Sequence, residues 1–135
     1  MKMPQLTFEQ NKSLEDVCNR MLKDPKIRFV GVINSMENLV AGGLRDDLES
    51  YETEEKRRMI YMQLRLDVNM RKEYDNTLGS IDYIASKRGK VLMVSVPVYD
   101  HVVWVSAEPN TDAETLANKT KDLFLHLCCS EISIE

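Results

Sequence analysis

The stretch Val91-Leu92-Met93-Val94-Ser95-Val96, followed by Tyr99-Asp100 and then His101-Val102-Val103-Trp104-Val105-Ser106-Ala107, decides the fold. Both runs are rich in β-branched residues and apolar at consecutive positions, the pattern of strands covered on both faces. Tyr99-Asp100 is short enough to turn one run directly into the other, and Pro97 is expected near the end of its strand or at a bulge. A sheet buried on both sides needs helices above and below it, so the flanking sequence must supply amphipathic helices.

Working outward, Ser80 to Ser86 alternates Ile81, Tyr83 and Ala85, and Lys87-Arg88-Gly89-Lys90 turns it into the 91–96 run. Three strands therefore form a meander. Upstream, Thr53 and Lys56 bracket the start of a helix expected to run to about Tyr74, with stop signals at Asp75-Asn76 and Leu78-Gly79. Ile27 to Ile33 reads as another inner strand, turned back by Asn34 to Asn38 into a short strand, Leu39-Val40-Ala41, that is expected to stop at Gly42-Gly43. The acidic stretch from Arg45 to Glu52 reads as a solvated loop.

Two helices close the pattern. Thr7 and Gln10 resemble a capping box ahead of Leu14, Val17, Cys18, Met21 and Leu22, with Asp24-Pro25 as the stop. Thr111 and Glu114 form a second such match before Ala113, Leu116, Ala117, Thr120, Leu123, Phe124 and Leu127. The order is α-β-β-α-β-β-β-α, an α+β class with a five-stranded antiparallel sheet and helices on both faces. A single domain over residues 1–135 is expected, with a loose tail from about Ser130.

Composition narrows the function classes. A formal charge of −4 argues against a dedicated nucleic-acid binder, which shows a dominant basic face. The longest apolar runs fall far short of the roughly 20 residues of a membrane helix, and Met1-Lys2-Met3-Pro4 leads into polar residues rather than a secretory signal. Cys18, Cys128 and Cys129 lack the spacing of a disulfide framework, which agrees with a reducing compartment. The expected location is the cytoplasm, with no membrane and no nucleic-acid partner.

The central helix has two apolar sides. Met59, Met62, Leu66, Met70 and Tyr74 make one stripe; Ile60, Tyr61, Leu64 and Val68 make another beside it; Arg58, Arg65, Asn69 and Lys72 form the polar side. A helix lying on a sheet buries one stripe, so the second must be covered by another copy of the chain or by the 43–52 loop with Leu44, Leu48 and Tyr51.

This element order resembles Roadblock/LC7 domains, within the wider group that includes longin and profilin-like domains. The resemblance implies a strand order of 2-1-5-4-3 and a homodimer built on the central helix, Thr53 to Tyr74, and the strand after it, Ser80 to Ser86. On this chain the implied interface is Ile60, Tyr61, Leu64, Val68, Ile81 and Tyr83. Met70-Arg71-Lys72-Glu73-Tyr74-Asp75 with Leu78-Gly79, Asp100-His101 and Ser106-Ala107-Glu108-Pro109 also resemble small archaeal proteins of uncharacterised function. Domains of the Roadblock/LC7 type are mostly scaffolds or regulators, and small Ras-like GTPases are among their partners. PAS and profilin-like sheets hold small molecules instead, which makes a ligand sensor the alternative.

Motifs for chemistry are sparse. Gly31, Gly42, Gly43, Gly79 and Gly89 form no phosphate loop, dinucleotide turn or nucleophile elbow. Asp100-His101 sits at a turn, where backbone hydrogen bonding, ligand recognition or catalysis with a basic residue are the three readings. His126-Leu127-Cys128-Cys129 carries soft ligands without the paired spacing of a zinc site, so no metal and no cofactor are expected. Arg71 and Arg88 could hold a carboxylate or phosphate if the fold brings them together. The expected ligand contacts are thus Arg71, Arg88, Asp100 and His101, and no enzymatic activity is expected.

Overall fold

The computed structural model describes residues 8–131, with side chains for 11–125. The elements are α1 (Phe8–Met21), β1 (Ile27–Ile33), β2 (Leu39–Leu44), α2 (Glu54–Arg71), α3 (Asp75–Leu78), β3 (Ile84–Lys87), β4 (Leu92–Val98), β5 (His101–Ala107) and α4 (Ala113–Glu131). The strands form one antiparallel sheet in the order β2-β1-β5-β4-β3, as the family resemblance implied. Thr7 of the first capping box and the tail beyond Glu131 lie outside the described residues.

The three inner strands carry the apolar runs that no solvated face could tolerate. Every residue of β1 and β5 is buried. Alternate side chains feed two cores. Val30, Val32, Val94, Val96, Val103 and Val105 join Leu14, Cys18 and Met21 of α1 and Leu116, Ala117 and Phe124 of α4. On the opposite face Phe29, Ile33 and Trp104 meet Tyr61 of α2.

Several boundaries differ from the sequence reading, each for a local reason. β2 runs through Gly42 and Gly43, because Gly42 pairs with Gly31 at φ 90° and its bare backbone lies against β1. A Cβ there would sit 2.0 Å from the Val30 carbonyl oxygen. The expected stop at Asp75-Asn76 is another helical turn: α2 passes through a 3₁₀ turn, Lys72–Tyr74, into α3, and Gly79 at φ 92° ends it. β3 begins four residues later than expected. Extending its register from Ile84 opposite Ser95 would set Asp82 against Pro97, which has no N–H to give a ladder. The α4 cap is Asp112 rather than Thr111: its Oδ2 accepts from the Thr115 N–H at 2.9 Å and the Thr115 hydroxyl at 2.6 Å. Thr53 does cap α2, its Oγ1 accepting from the Lys56 N–H at 3.1 Å.

Among the described residues no helix is long and apolar enough to cross a membrane.

Candidate functional site

α2 meets the sheet through Tyr61, Arg65 and Val68, which are buried and recur at i, i+4 and i+7. Tyr61 stands edge-on to Trp104, with ring centroids 6.0 Å apart, and the Phe29 ring is tilted against the indole at 4.6 Å. Burial raises the Tyr61 phenol above its ordinary pKa, with nearby Glu52 and Glu54 adding to the shift and Arg57 opposing it. Arg65, expected on the polar side of the helix, is only 5% exposed; its Nη1 donates to the Asp100 carbonyl oxygen at 3.1 Å.

The opposite side of α2 is apolar and bare. Met59, Met62, Leu66, Met70, Tyr74 and Leu78 are each at least 53% exposed. The 43–52 loop leaves this stripe uncovered: Leu44 joins the Phe29 and Trp104 cluster, and Tyr51 is itself exposed. Of the residues implied as a dimer interface, Tyr61 and Val68 are buried against this chain's own sheet. Ile60, Leu64, Ile81 and Tyr83 are half-buried. β3 lies at one edge of the sheet and is mostly exposed.

Beside α2 the sheet face stays partly open, leaving a groove of about 600 Å³. Phe29, Met93 and Trp104 floor it, Ile60 and Leu64 form the α2 wall, and Arg88, Gly89 and Lys90 of the β3–β4 turn form the other rim. Arg28 and Tyr51 close one end, with the Arg28 guanidinium carbon 4.3 Å and the Lys90 Nζ 5.2 Å from the centre of the Tyr51 ring. Arg28 donates to the Glu49 carbonyl oxygen at 3.4 Å and lies 3.7 Å from Glu108.

The four expected ligand contacts fall in separate places. Arg88 is on the groove rim. Arg71 pairs with Asp67, a groove residue, at 3.4 Å and is not itself part of the lining. Asp100 and His101 follow the far end of β4, a whole strand away from Arg88. His101 is 9% exposed; desolvation lowers its pKa, Asp100 raises it and Arg65 lowers it further. Cys18 is fully buried, and burial followed by the Glu15 charge pushes its thiol up to about 12, the state of an inert core cysteine. Among the described residues no group of three His, Cys, Asp or Glu is placed to hold a metal, and the 126–129 side chains lie outside that set.

The sequence reading missed Arg28, Tyr51, Lys90 and Trp104 as neighbours. One signal was present: Arg28 is the only charge in an otherwise apolar inner strand, and a buried charge there must have partners.

The topology, the two-layered core and the bare outer stripe of the central helix define a Roadblock/LC7 fold. MglB from Myxococcus xanthus superimposes with a TM-score of 0.70 at 15% identity, over 97% of this chain and 98% of that one. The gliding protein MglB of Thermus thermophilus gives 0.72 at 8% identity, over 96% and 97%. A Roadblock/LC7 domain from Streptomyces avermitilis gives 0.67 at 8% identity, over 89% and 98%. By sequence the chain belongs to DUF6659, a family of unknown function whose model matches residues 3–124. No curated protein matches it significantly.

Proposed function

We propose that this chain is a non-enzymatic scaffold or regulator that forms a homodimer through α2 and β3 and presents α2 to a partner protein, a small Ras-like GTPase being the expected partner class. The observation that carries this reading is the stripe Met59, Met62, Leu66 and Met70 on a helix already seated by its opposite face, with Tyr74 and Leu78 exposed in the turns that follow it. Six large exposed apolar side chains lose free energy to water until a partner covers them, and methionine-rich surfaces adapt to partners of varied shape. Edge pairing through β3 would set two α2 helices on one face of a continuous sheet and join their stripes. Ile60, Leu64 and Ile81 supply the half-buried flank of that contact, Tyr83 packs against the α1–α4 core on the other face of the sheet, and Tyr61 and Val68 hold the helix in place. Likeness to MglB, one form of which was solved in a tetrameric arrangement, supports an assembling role.

The test is solution mass by light scattering over a concentration range, together with amide exchange on β3. A dimer with all four β3 amides protected is expected. A monomer at every concentration, or fast exchange at the β3 amides that do not pair with β4, removes the dimer. In the Met62→Glu, Leu66→Glu double variant, an unchanged dimer assigns the stripe to the partner protein. Dissociation assigns it to the second copy.

A further inference from the structure

We propose that the groove between α2 and the β4–β5 face binds a small organic anion: a carboxylate or phosphate on an apolar body, held by Arg88 and Lys90 with the body against Met93 and Leu64. This goes beyond the scaffold reading and does not depend on it.

Charge at the groove is unevenly settled. Its two acids already have cations, Glu52 with Arg57 at 3.2 Å and Asp67 with Arg71 at 3.4 Å. Arg28 has Glu108 at 3.7 Å. Among the described residues Arg88 and Lys90 have no carboxylate within ion-pair distance, so the β3–β4 rim carries two unneutralised positive charges in a chain whose net charge is −4. Arg88 offers a planar fork suited to two oxygens of one anion, and Lys90 offers a compact charge beside it.

The rest of the groove suits an apolar body of limited size. Its volume of about 600 Å³ is within the range of small-molecule sites, and its floor is aromatic and methionine-lined. Trp104 borders the groove, and its buried indole N–H has no hydrogen-bond partner. Tyr51 stands between Arg28 and Lys90 and bounds the end of the site. The cations that line the groove are Arg28, Arg88 and Lys90, and Arg28 already has Glu108, which favours a compact ligand with one acidic group.

Trp104 is the only tryptophan in the chain, so its fluorescence reports occupancy directly. The wild-type protein is titrated with phenyl phosphate, phenylacetate and inorganic phosphate, with the Trp104 indole and Gly89 amide followed in parallel by NMR. Saturable binding of at least one phenyl compound is expected. Arg88→Ala with Lys90→Ala, both exposed positions, should weaken it by about tenfold or more, the loss of a charge-assisted contact. Preference between the two phenyl compounds identifies the acidic group as phosphate or carboxylate. No saturable response of either resonance to about 10 mM, or equal affinity in the double variant, overturns the proposal. Inorganic phosphate binding as tightly as phenyl phosphate overturns the apolar half of the site.

Discussion

Arg65 of α2 donates to the carbonyl oxygen of Asp100 at the β4–β5 turn, 3.1 Å away and 35 positions along the chain. This bond ties the middle of α2 to one end of the sheet. The guanidinium is also under-used, since its Nε is buried with no partner. A buried, partly satisfied charge adds less to stability than its contacts suggest, because desolvation offsets them. Arg65→Met keeps the apolar stem and removes the orphan donor, so its unfolding free energy should stay within about 1 kcal/mol of wild type. Arg65→Ala loses stem and bond together and should cost about 2 kcal/mol. Urea unfolding of the two variants checks the ordering, and a larger loss for Met than for Ala would refute it.

His101, next to that turn, makes stability depend on pH. Its folded pKa lies below the ordinary 6.5, first through desolvation, with Arg65 adding to the shift and Asp100 opposing it. Below pH 6.5 the unfolded chain takes up a proton that the folded chain resists, so the unfolded state binds more protons. The contribution is therefore complete above pH 6.5 and is lost as pH falls from there towards the folded pKa. The slope from one proton cannot exceed about 1.4 kcal/mol per pH unit. His101→Gln should remove that part of the slope while leaving the rest of the profile in place. Parallel profiles for the two proteins from pH 7 to pH 5 would rule the effect out.

How legible these features were depends on whether a residue's neighbours are local. β1, β4 and β5 could be placed from their own residues, because strands buried at all seven positions in β1 and β5, and at five of seven in β4, leave a nearly unbroken apolar run. The two apolar stripes of α2 were legible as well, but not which one faces the sheet. Periodicity fixes the angle between stripes and says nothing of their orientation, and Tyr61 turned inward because Phe29 and Trp104 offer it aromatic edges and faces. Arg65 read as polar surface because its acceptor is a backbone carbonyl, to which any residue at position 100 would contribute. The groove was hidden for the same reason: Arg28 of β1, Tyr51 of the loop before α2, Arg88 of the β3–β4 turn and Trp104 of β5 come from four segments that meet only in the folded chain.

The two faces of α2 should answer differently to charge. Val68 is 2% exposed inside the chain, so Val68→Asp buries a carboxylate without a partner and should cost more than about 3 kcal/mol, enough to loosen α2 from the sheet. Leu66, two positions away and 56% exposed, can become Asp at less than about 1 kcal/mol, mostly helix propensity. Near-ultraviolet circular dichroism of Trp104 reads the docking of α2, and unfolding midpoints read the cost. If Leu66→Asp proved as damaging as Val68→Asp, the assignment of faces would be wrong, or a second copy would be essential to folding.

Gly42 offers the sharpest test of how β2 meets β1. It sits at φ 90°, its N–H donates to a carboxylate oxygen of Glu15 on α1 at 3.1 Å, and an added Cβ would fall 2.0 Å from the Val30 carbonyl oxygen and 3.0 Å from the Cys18 sulfur. Neither a backbone carbonyl nor a core sulfur can retreat without disturbing both the β1–β2 ladder and the α1 core. Gly42→Ala should therefore cost at least about 2 kcal/mol, from steric overlap added to the strain of a positive φ. Gly89 is the matched control, with no atom within 4 Å of an added Cβ and no left-handed backbone. Gly89→Ala should be neutral or stabilising by about 0.5 kcal/mol, through the reduced freedom of the unfolded chain. Thermal unfolding of the pair gives the comparison, and equal midpoints would mean that β2 does not hold Gly42 against Val30.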